Sequence, residues 1–373
     1  MAQQIKKVLV VNIFGIGDVL FTTPLLRNIK NTYPGCSVIY VANRRAAEAL
    51  ERNPCVDRVI IYERSDFVAA LKKSRRRYWL KIVSFVRSIR NEQCDIAFDL
   101  SLNSGINFLL WCCGIKNIVG YKYRNRSFFL NQAIPLSGYE DRHVVEYYLA
   151  LGEAAGLKGA SRHMELPFAF EDRAWVEACF KKEGVRGDGP VIAFFPGGGA
   201  SWGKDARFKQ WPVASYAGLI NKVIEKFSAK VILLGDQKDR SLSQGLARSV
   251  AGPVINLCGD TTLLQIAALL TRCDVAVMND GGPLHVAVAS GVRTVSIFGP
   301  VNEIVYGPYP REGHEVVTSA MMCRPCYRYF RRAECAHVSC LNRVTPEDVF
   351  EKIEVILSTQ GKIKAGDKNR GQA

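Results

Sequence analysis

The feature that most constrains this chain is an alternation that occurs twice. Short runs that are apolar at almost every position are each followed by a longer segment with helical spacing. KVLVVNI, SVIYVAN, DRVIIYE and CDIAFDL lie in the first hundred residues. They are separated by DVLFTTPLLRNIKNTY, a helix from about Arg45 and a long basic helix. A strand that is apolar on both sides must be covered on both sides, which requires a parallel sheet between two helical layers. The pattern restarts at PVIAFFPGGG and runs through KVILLGD, VINLCG, VAVMND and TVSIFGP, with helices between them. At 373 residues the chain exceeds one ordinary core. The expected architecture is therefore α/β, with two doubly wound, Rossmann-like domains. The expected boundaries are 1–170 and 190–358, joined by a linker at 171–189 (EDRAWVEACFKKEGVRGDG). The tail, 359–373, has no large apolar residue beyond Ile363 and is expected to be disordered.

Charge narrows the partners. Fifty basic residues stand against 35 acidic ones, a formal net charge of +15, which favours an acidic partner over simple solubility. Nucleotides, phosphorylated glycans and anionic membrane surfaces all qualify. No recognised nucleic-acid module is present, so nucleic acid is not expected. Lys6 and Lys7 precede an apolar run, but Asn12 and Asp18 interrupt it and no small-residue cleavage site follows, unlike a signal peptide. No uncharged stretch approaches the roughly 18 residues of a membrane span. The expected location is cytoplasmic, with contact at the inner face of the membrane left open. Five basic residues within Lys72–Arg77, next to Tyr78 and Trp79, fit either an anionic bilayer or a solvated helix face.

In open parallel sheets, ligands sit at the carboxyl ends of strands, so the loops there are the candidate sites. In FGIGDVL, Gly15 and Gly17 begin a dinucleotide fingerprint whose third glycine would fall on Leu20. Asp18 would face any pyrophosphate at that helix start and repel it. The same helix end favours an ionised carboxylate, so Asp18 reads either as a proton acceptor or as a plain capping residue. The stretch GGASWGKD, Gly198 to Asp205, imitates a P-loop. Where that loop needs Ser or Thr to hold Mg²⁺ it has Asp205, so nucleoside triphosphate hydrolysis is disfavoured. Its glycines, Gly198 and Gly199 among them, still allow close backbone approach to an anion, and Lys204, Arg207 and Lys209 add charge. In MNDGGPLHV, Asp280 precedes Gly281 and Gly282 at a helix start, where backbone amides suit a diphosphate. His285 falls in the first turn of that helix, as an oxyanion donor or as a structural histidine. The chain contains 12 cysteines, and four of them (Cys323, Cys326, Cys335 and Cys340) are spaced C-x2-C-x8-C-x4-C. That spacing could hold a structural Zn²⁺, with His337 an alternative ligand, or leave free thiols or a disulfide.

Together, VNIFGIGDVLFTTPLLRNIKNTYP, PGGGASWGKDARFKQWP and NDGGPLHVAVASGVRTVSIFGP resemble the three signature regions of glycosyltransferase family 9, the ADP-heptose:lipopolysaccharide heptosyltransferases. The cysteine-bearing CRPCY…VTPEDV also resembles the family's C-terminal segment, and the likeness spans roughly residues 5–357. It implies a GT-B fold, two Rossmann-like domains facing across a cleft, with acceptor bound by the first and nucleotide sugar by the second. It implies an inverting transfer with no catalytic metal, from a nucleotide-diphosphate sugar to a glycolipid acceptor such as lipopolysaccharide core. By the same resemblance Asp18 is the base, Lys209 contacts the donor phosphate, and Asp280, Gly281 and Gly282 bind sugar and diphosphate. The acidic residue on the ribose falls on Asp239 or Asp236. The chain departs from the pattern in its longer glycine loop and in Gly281, where Thr or Ser is usual, so the donor sugar is less determined than the reaction. A sugar-nucleotide epimerase of GT-B fold and a non-catalytic nucleotide- or glycolipid-binding relative are the alternatives.

Overall fold

The computed structural model describes residues 5–124, 127–185, 189–199 and 202–363. It divides between Leu166 and Pro167 into two compact units. The first is built on six parallel strands: β1 Lys7–Val11, β2 Ser37–Ala42, β3 Arg58–Ile61, β4 Ile96–Asp99, β5 Ile118–Tyr123 and β6 Gln132–Leu136. Their order across the sheet is β3-β2-β1-β4-β5-β6. The second carries β7 Val191–Phe195, β8 Lys230–Leu233, β9 Val254–Asn256, β10 Val275–Asn279, β11 Thr294–Phe298 and β12 Glu315–Thr318. Its order is β12-β11-β10-β7-β8-β9, again parallel throughout.

The apolar runs do what their composition requires. Val8, Leu9 and Val10 of β1 and Ala276, Val277 and Met278 of β10 are completely buried, because helices cover both faces of each sheet. Burying a side chain of this size contributes about 1.5–3 kcal/mol, so the central strands anchor each unit. In the second unit Trp211 is fully buried against Tyr216, and its indole N–H donates to the Val344 carbonyl at 2.9 Å.

Three strands of the two six-stranded sheets were not anticipated. β5 (IVGYKY) is buried except at Lys122, but Gly120 and Lys122 interrupt its apolar run, and β6 and β12 lie at sheet edges, where only one neighbour must be satisfied. An edge also tolerates Pro135 in β6, which has no N–H to donate. The single basic helix expected through residues 71–90 is two helices, Arg64–Lys73 and Arg75–Arg90. Ser74 breaks it: its backbone is extended and its hydroxyl accepts from the Arg77 amide at 3.1 Å, capping the second helix. Of the segment 171–189, the part to Lys182 belongs to the helix Phe170–Lys182, which packs on Leu263–Leu270 within the second unit, and residues 186–188 lie outside the described residues. The last helix is Pro346–Thr359, and residues 364–373 of the expected tail also lie outside the described residues. Among the described residues no helix is long and apolar enough to cross a membrane.

Candidate functional site

Each sheet has one place where the chain reverses its direction of growth. In the first it lies between β1 and β4, and in the second between β7 and β10. Connections leaving two such strands cross to opposite faces, so the loops at their carboxyl ends separate and leave a crevice. The loops singled out from sequence are the ones that follow β1, β7 and β10.

At the end of β1, Gly15 caps the helix Ile16–Thr32 and places Asp18 in its first turn. The Gly15 amide donates to Asp18 Oδ2 at 3.2 Å, so Asp18 secures the helix start from the third helical position while Gly15, not Asp18, is the cap. The capping contact leaves the carboxylate only half-buried. Its backbone is braced from behind: buried Asn12 donates to the Asp18 carbonyl at 3.0 Å and to Thr22 Oγ1 at 3.1 Å, and Tyr40 donates to Thr22 Oγ1 at 3.0 Å. Tyr40, Tyr139 and Tyr148 surround this point, and burial, reinforced by the Asp18 charge, keeps their phenols protonated. A negative group fixed at a helix N-terminus is stabilised by the helix dipole.

Across the crevice stands a residue that sequence reasoning missed. Asp99 ends β4 beside Val11 of β1 and is almost wholly buried. Burial pushes its carboxyl up to about 6, against hydrogen bonds from the Ser101 amide (2.9 Å) and hydroxyl that favour the ionised form. A carboxyl raised above its unfolded value favours folding most when protonated, so this contribution is complete below about pH 4 and is lost as pH rises through 6. Asp99→Asn, which keeps an acceptor for Ser101, is therefore expected to raise stability by up to about 3 kcal/mol at pH 8. At pH 4 it should change little, and thermal melts at the two pH values check this. The signal available in sequence was an aspartate at the very end of an apolar strand, in CDIAFDL.

The second unit gathers most of the remaining candidates at the β7/β10 crevice. Lys209 Nζ lies 2.8 Å from Asp280 Oδ2, and both side chains are under a tenth exposed. Asn279 joins the two loops: its Nδ2 donates to the Pro196 and Gly197 carbonyls (3.2 and 2.9 Å), and its Oδ1 accepts from the Trp211 amide at 3.0 Å. The glycine loop is thus tied to the strand end that bears Asp280. Asp239 joins it from β8, since a Cβ on Gly197 would come within 2.4 Å of both Asp239 carboxylate oxygens. Burial, and Asp236 nearby, raise the Asp239 carboxyl above its usual value. Gly199 holds φ +73°, a conformation that side chains rarely adopt. Gly281 caps the helix Gly282–Ala289, with Pro283 in its first turn, and His285 is buried within it. Pro212 caps the helix Val213–Phe227. A lysine, backbone amides at a helix start and a glycine loop at one crevice are the kinds of group that can meet a diphosphate.

Residues 82–337 match glycosyltransferase family 9 (heptosyltransferase). The chain belongs to this family. It is 25% identical over 371 residues to lipopolysaccharide heptosyltransferase 2 of Salmonella typhimurium, an alignment covering 95% of this chain and 99% of the relative. Its fold superimposes on a family 9 glycosyltransferase from Veillonella parvula with a TM-score of 0.77, at 21% identity, over 96% of this chain and 99% of that one. An Escherichia coli heptosyltransferase solved with ADP-2-deoxy-2-fluoro heptose superimposes with a TM-score of 0.68, at 18% identity, over 94% and 99% of the two chains. The two-unit α/β architecture is thus the GT-B fold, and the protein is a glycosyltransferase.

In this family 9 enzyme the cysteine segment has a role that its spacing did not reveal. A two-stranded hairpin, Tyr327–Arg328 with Arg331–Arg332, packs against Trp202 and Phe208 beside the β7/β10 crevice. The Tyr327 and Trp202 ring centroids are 5.1 Å apart, and Lys209 Nζ lies over the Trp202 ring, 4.5 Å from its centroid. Arg332 stacks 3.7 Å from the Phe208 ring and 3.8 Å from Asp205. The hairpin therefore buttresses the turn, Gly203–Lys209, that presents the lysine. Cys323, Cys326, Cys335 and Cys340 are present as thiols, exposed at Cys323 and buried at Cys340. Among the described residues no group of three or more His, Cys, Asp and Glu is placed to hold a metal ion. Amides of His337 and Val338 donate to Cys335 and lower its thiol below the usual range.

Proposed function

We propose that the enzyme moves a heptose, or a related sugar, from a nucleotide diphosphate to a lipopolysaccharide-core or similar glycolipid acceptor, with inversion and without a catalytic metal. ADP-heptose is the favoured donor, in keeping with the relative that holds its fluoro analogue. The observation that carries the reading is the buried Lys209–Asp280 pair beside the glycine loop at the β7/β10 crevice. Diphosphate is a good leaving group once its developing charge is met. Lys209 and the amides of Gly281 and Gly282 supply positive potential that a bound Mg²⁺ supplies elsewhere.

In the proposed step Asp18 takes the proton of an acceptor hydroxyl, whose oxygen attacks the anomeric carbon. The bond from that carbon to the diphosphate oxygen breaks, and the nucleotide diphosphate leaves with the electron pair. One displacement inverts the centre. Asp239, near Gly197, is assigned to the donor ribose, and Asp280 holds Lys209 and faces the sugar.

The test is release of nucleotide diphosphate by purified protein offered ADP-heptose, then UDP- and GDP-sugars, with and without heptose-deficient lipopolysaccharide. Release from ADP-heptose that needs the acceptor and persists in EDTA is the expected result. Conversion of donor with no acceptor would assign an epimerase, and tight nucleotide binding without turnover a binding protein. Elemental analysis of the same preparation decides the cysteines: one zinc per chain makes them a structural site, and none leaves them a thiol segment.

A further inference from the structure

The first unit carries an outer face that neither the crevices nor the sheet explains. The helices Arg64–Lys73, Arg75–Arg90 and Ser104–Cys112 bury one side each in a shared core that includes Phe67, Phe85, Ile89, Ile106 and Leu110. Their opposite sides should be polar in a globular protein. Instead Leu71, Trp79, Leu80 and Val83 are exposed on the basic pair of helices, and Phe108 and Trp111 on the third. Phe128, 91% exposed, extends this patch from the loop after β5 through Phe129, whose ring lies 5.2 Å from Phe108 and 5.7 Å from Trp111. Exposed aromatics in such a cluster mark a binding surface rather than ordinary scatter.

The sequence around these residues is strongly basic. From Phe67 to Asn91 there are eight basic and no acidic residues, and from Leu100 to Tyr139 four and none. Asp66, on the first of these helices, is held by Lys81 at 3.1 Å and Arg44 at 3.5 Å. Apolar and aromatic side chains standing out of a basic surface match one environment well. Rings enter the headgroup boundary of a bilayer while lysine and arginine meet lipid phosphates.

We propose that this face, which includes Trp79, Trp111 and Phe128 and the exposed basic residues Lys72, Lys73 and Arg75–Arg77, docks the enzyme on an anionic phospholipid bilayer. The proposal does not depend on which sugar is transferred, since it concerns a surface apart from Asp18 and from Lys209. Such docking would hold the first unit where a lipid-linked acceptor is displayed.

The experiment is co-sedimentation of the full chain with vesicles of phosphatidylcholine alone or with about one-third phosphatidylglycerol, at about 0.1 and 0.5 M salt. Binding is expected on the anionic vesicles only, weakened by salt. The variant Arg75→Gln/Arg76→Gln/Arg77→Gln should bind about 10²-fold more weakly, three charges at about 1 kcal/mol each. The variant Trp79→Ser/Trp111→Ser/Phe128→Ser should lose binding at the higher salt, where the apolar part dominates. All of these positions are exposed, so circular-dichroism melts should match the parent chain and separate lost docking from lost folding. No sedimentation of the parent chain, or equal binding by both variants, would overturn the proposal. So would a dimer in sedimentation velocity that the serine variant abolishes, which would give the face to a second copy of the chain.

Discussion

Asp18→Asn is expected to lower kcat by about 10²–10⁴-fold while leaving donor KM and the melting temperature nearly unchanged. The size is that of a general base lost from a transfer step, about 3–5 kcal/mol of barrier. The substitution is nearly isosteric, and an asparagine Oδ1 can still accept from the Gly15 amide that Asp18 holds at 3.2 Å. Helix Ile16–Thr32 should therefore start where it does now, since losing the charge at its first turn costs only about 0.3–1 kcal/mol. Donor affinity is assigned to loops of the second unit and should not respond. Steady-state release of nucleotide diphosphate at saturating donor and acceptor measures the effect. A variant within a factor of about three of the parent would remove Asp18 from the chemistry and leave it a capping residue. A loss of kcat together with a lower melting temperature would mean that the Asn12–Thr22–Tyr40 bracing had been disturbed instead.

What could be read in advance follows from range along the chain. β1, β2, β4, β7, β8 and β10 are legible because burial on both faces demands apolar residues at nearly every position, and that demand is local. β6 and β12 escape it by lying at edges, and Gln132–Leu136, with its proline, looks like loop until its neighbour β5 is known. The glycine loop, Lys209 and Asp280–Gly282 could be marked as anion-binding segments from composition and position after strands. That Lys209 pairs with Asp280, 71 positions further on, is not a local property. It follows from β7 lying beside β10 and from Asn279 tying the two strand ends together. Asp99 was missed because a single aspartate ending a strand carries no pattern, and its meaning comes from lying beside β1 where the sheet reverses. The hairpin at Tyr327–Arg332 was overshadowed by the cysteines flanking it, while its work is done by Tyr327 and Arg332 against the turn that carries Lys209.

Lys209→Met should damage both folding and activity, and a second substitution should separate the two. The lysine and Asp280 are both buried, so removing the cation leaves an unpaired carboxylate in a dry site, at a cost of about 3–5 kcal/mol in stability. Activity should fall by about 10²–10³-fold in kcat/KM, the usual loss when one preorganised group that meets developing charge is removed. Adding Asp280→Asn to Lys209→Met removes the stranded charge, and a paired-to-neutral exchange in a core is close to neutral in stability. The double variant should therefore regain most of the lost denaturation midpoint. Its turnover should stay at or below that of the single variant, because the lysine charge assigned to the departing diphosphate is still missing. Recovery of turnover along with stability would make the pair a structural ion bridge and move phosphate recognition elsewhere, to the amides of Gly281 and Gly282. Recovery of neither would point to Trp202, whose ring lies 4.5 Å from the ammonium and packs on Tyr327, as a member of the same packed unit. Lys209 is paired with Asp280 at 2.8 Å, and on the proposed reading an arriving diphosphate competes with Asp280 for the ammonium. In the proposed reaction, charge repulsion between diphosphate and Asp280 would limit how tightly donor and product bind and so favour release of the nucleotide after transfer.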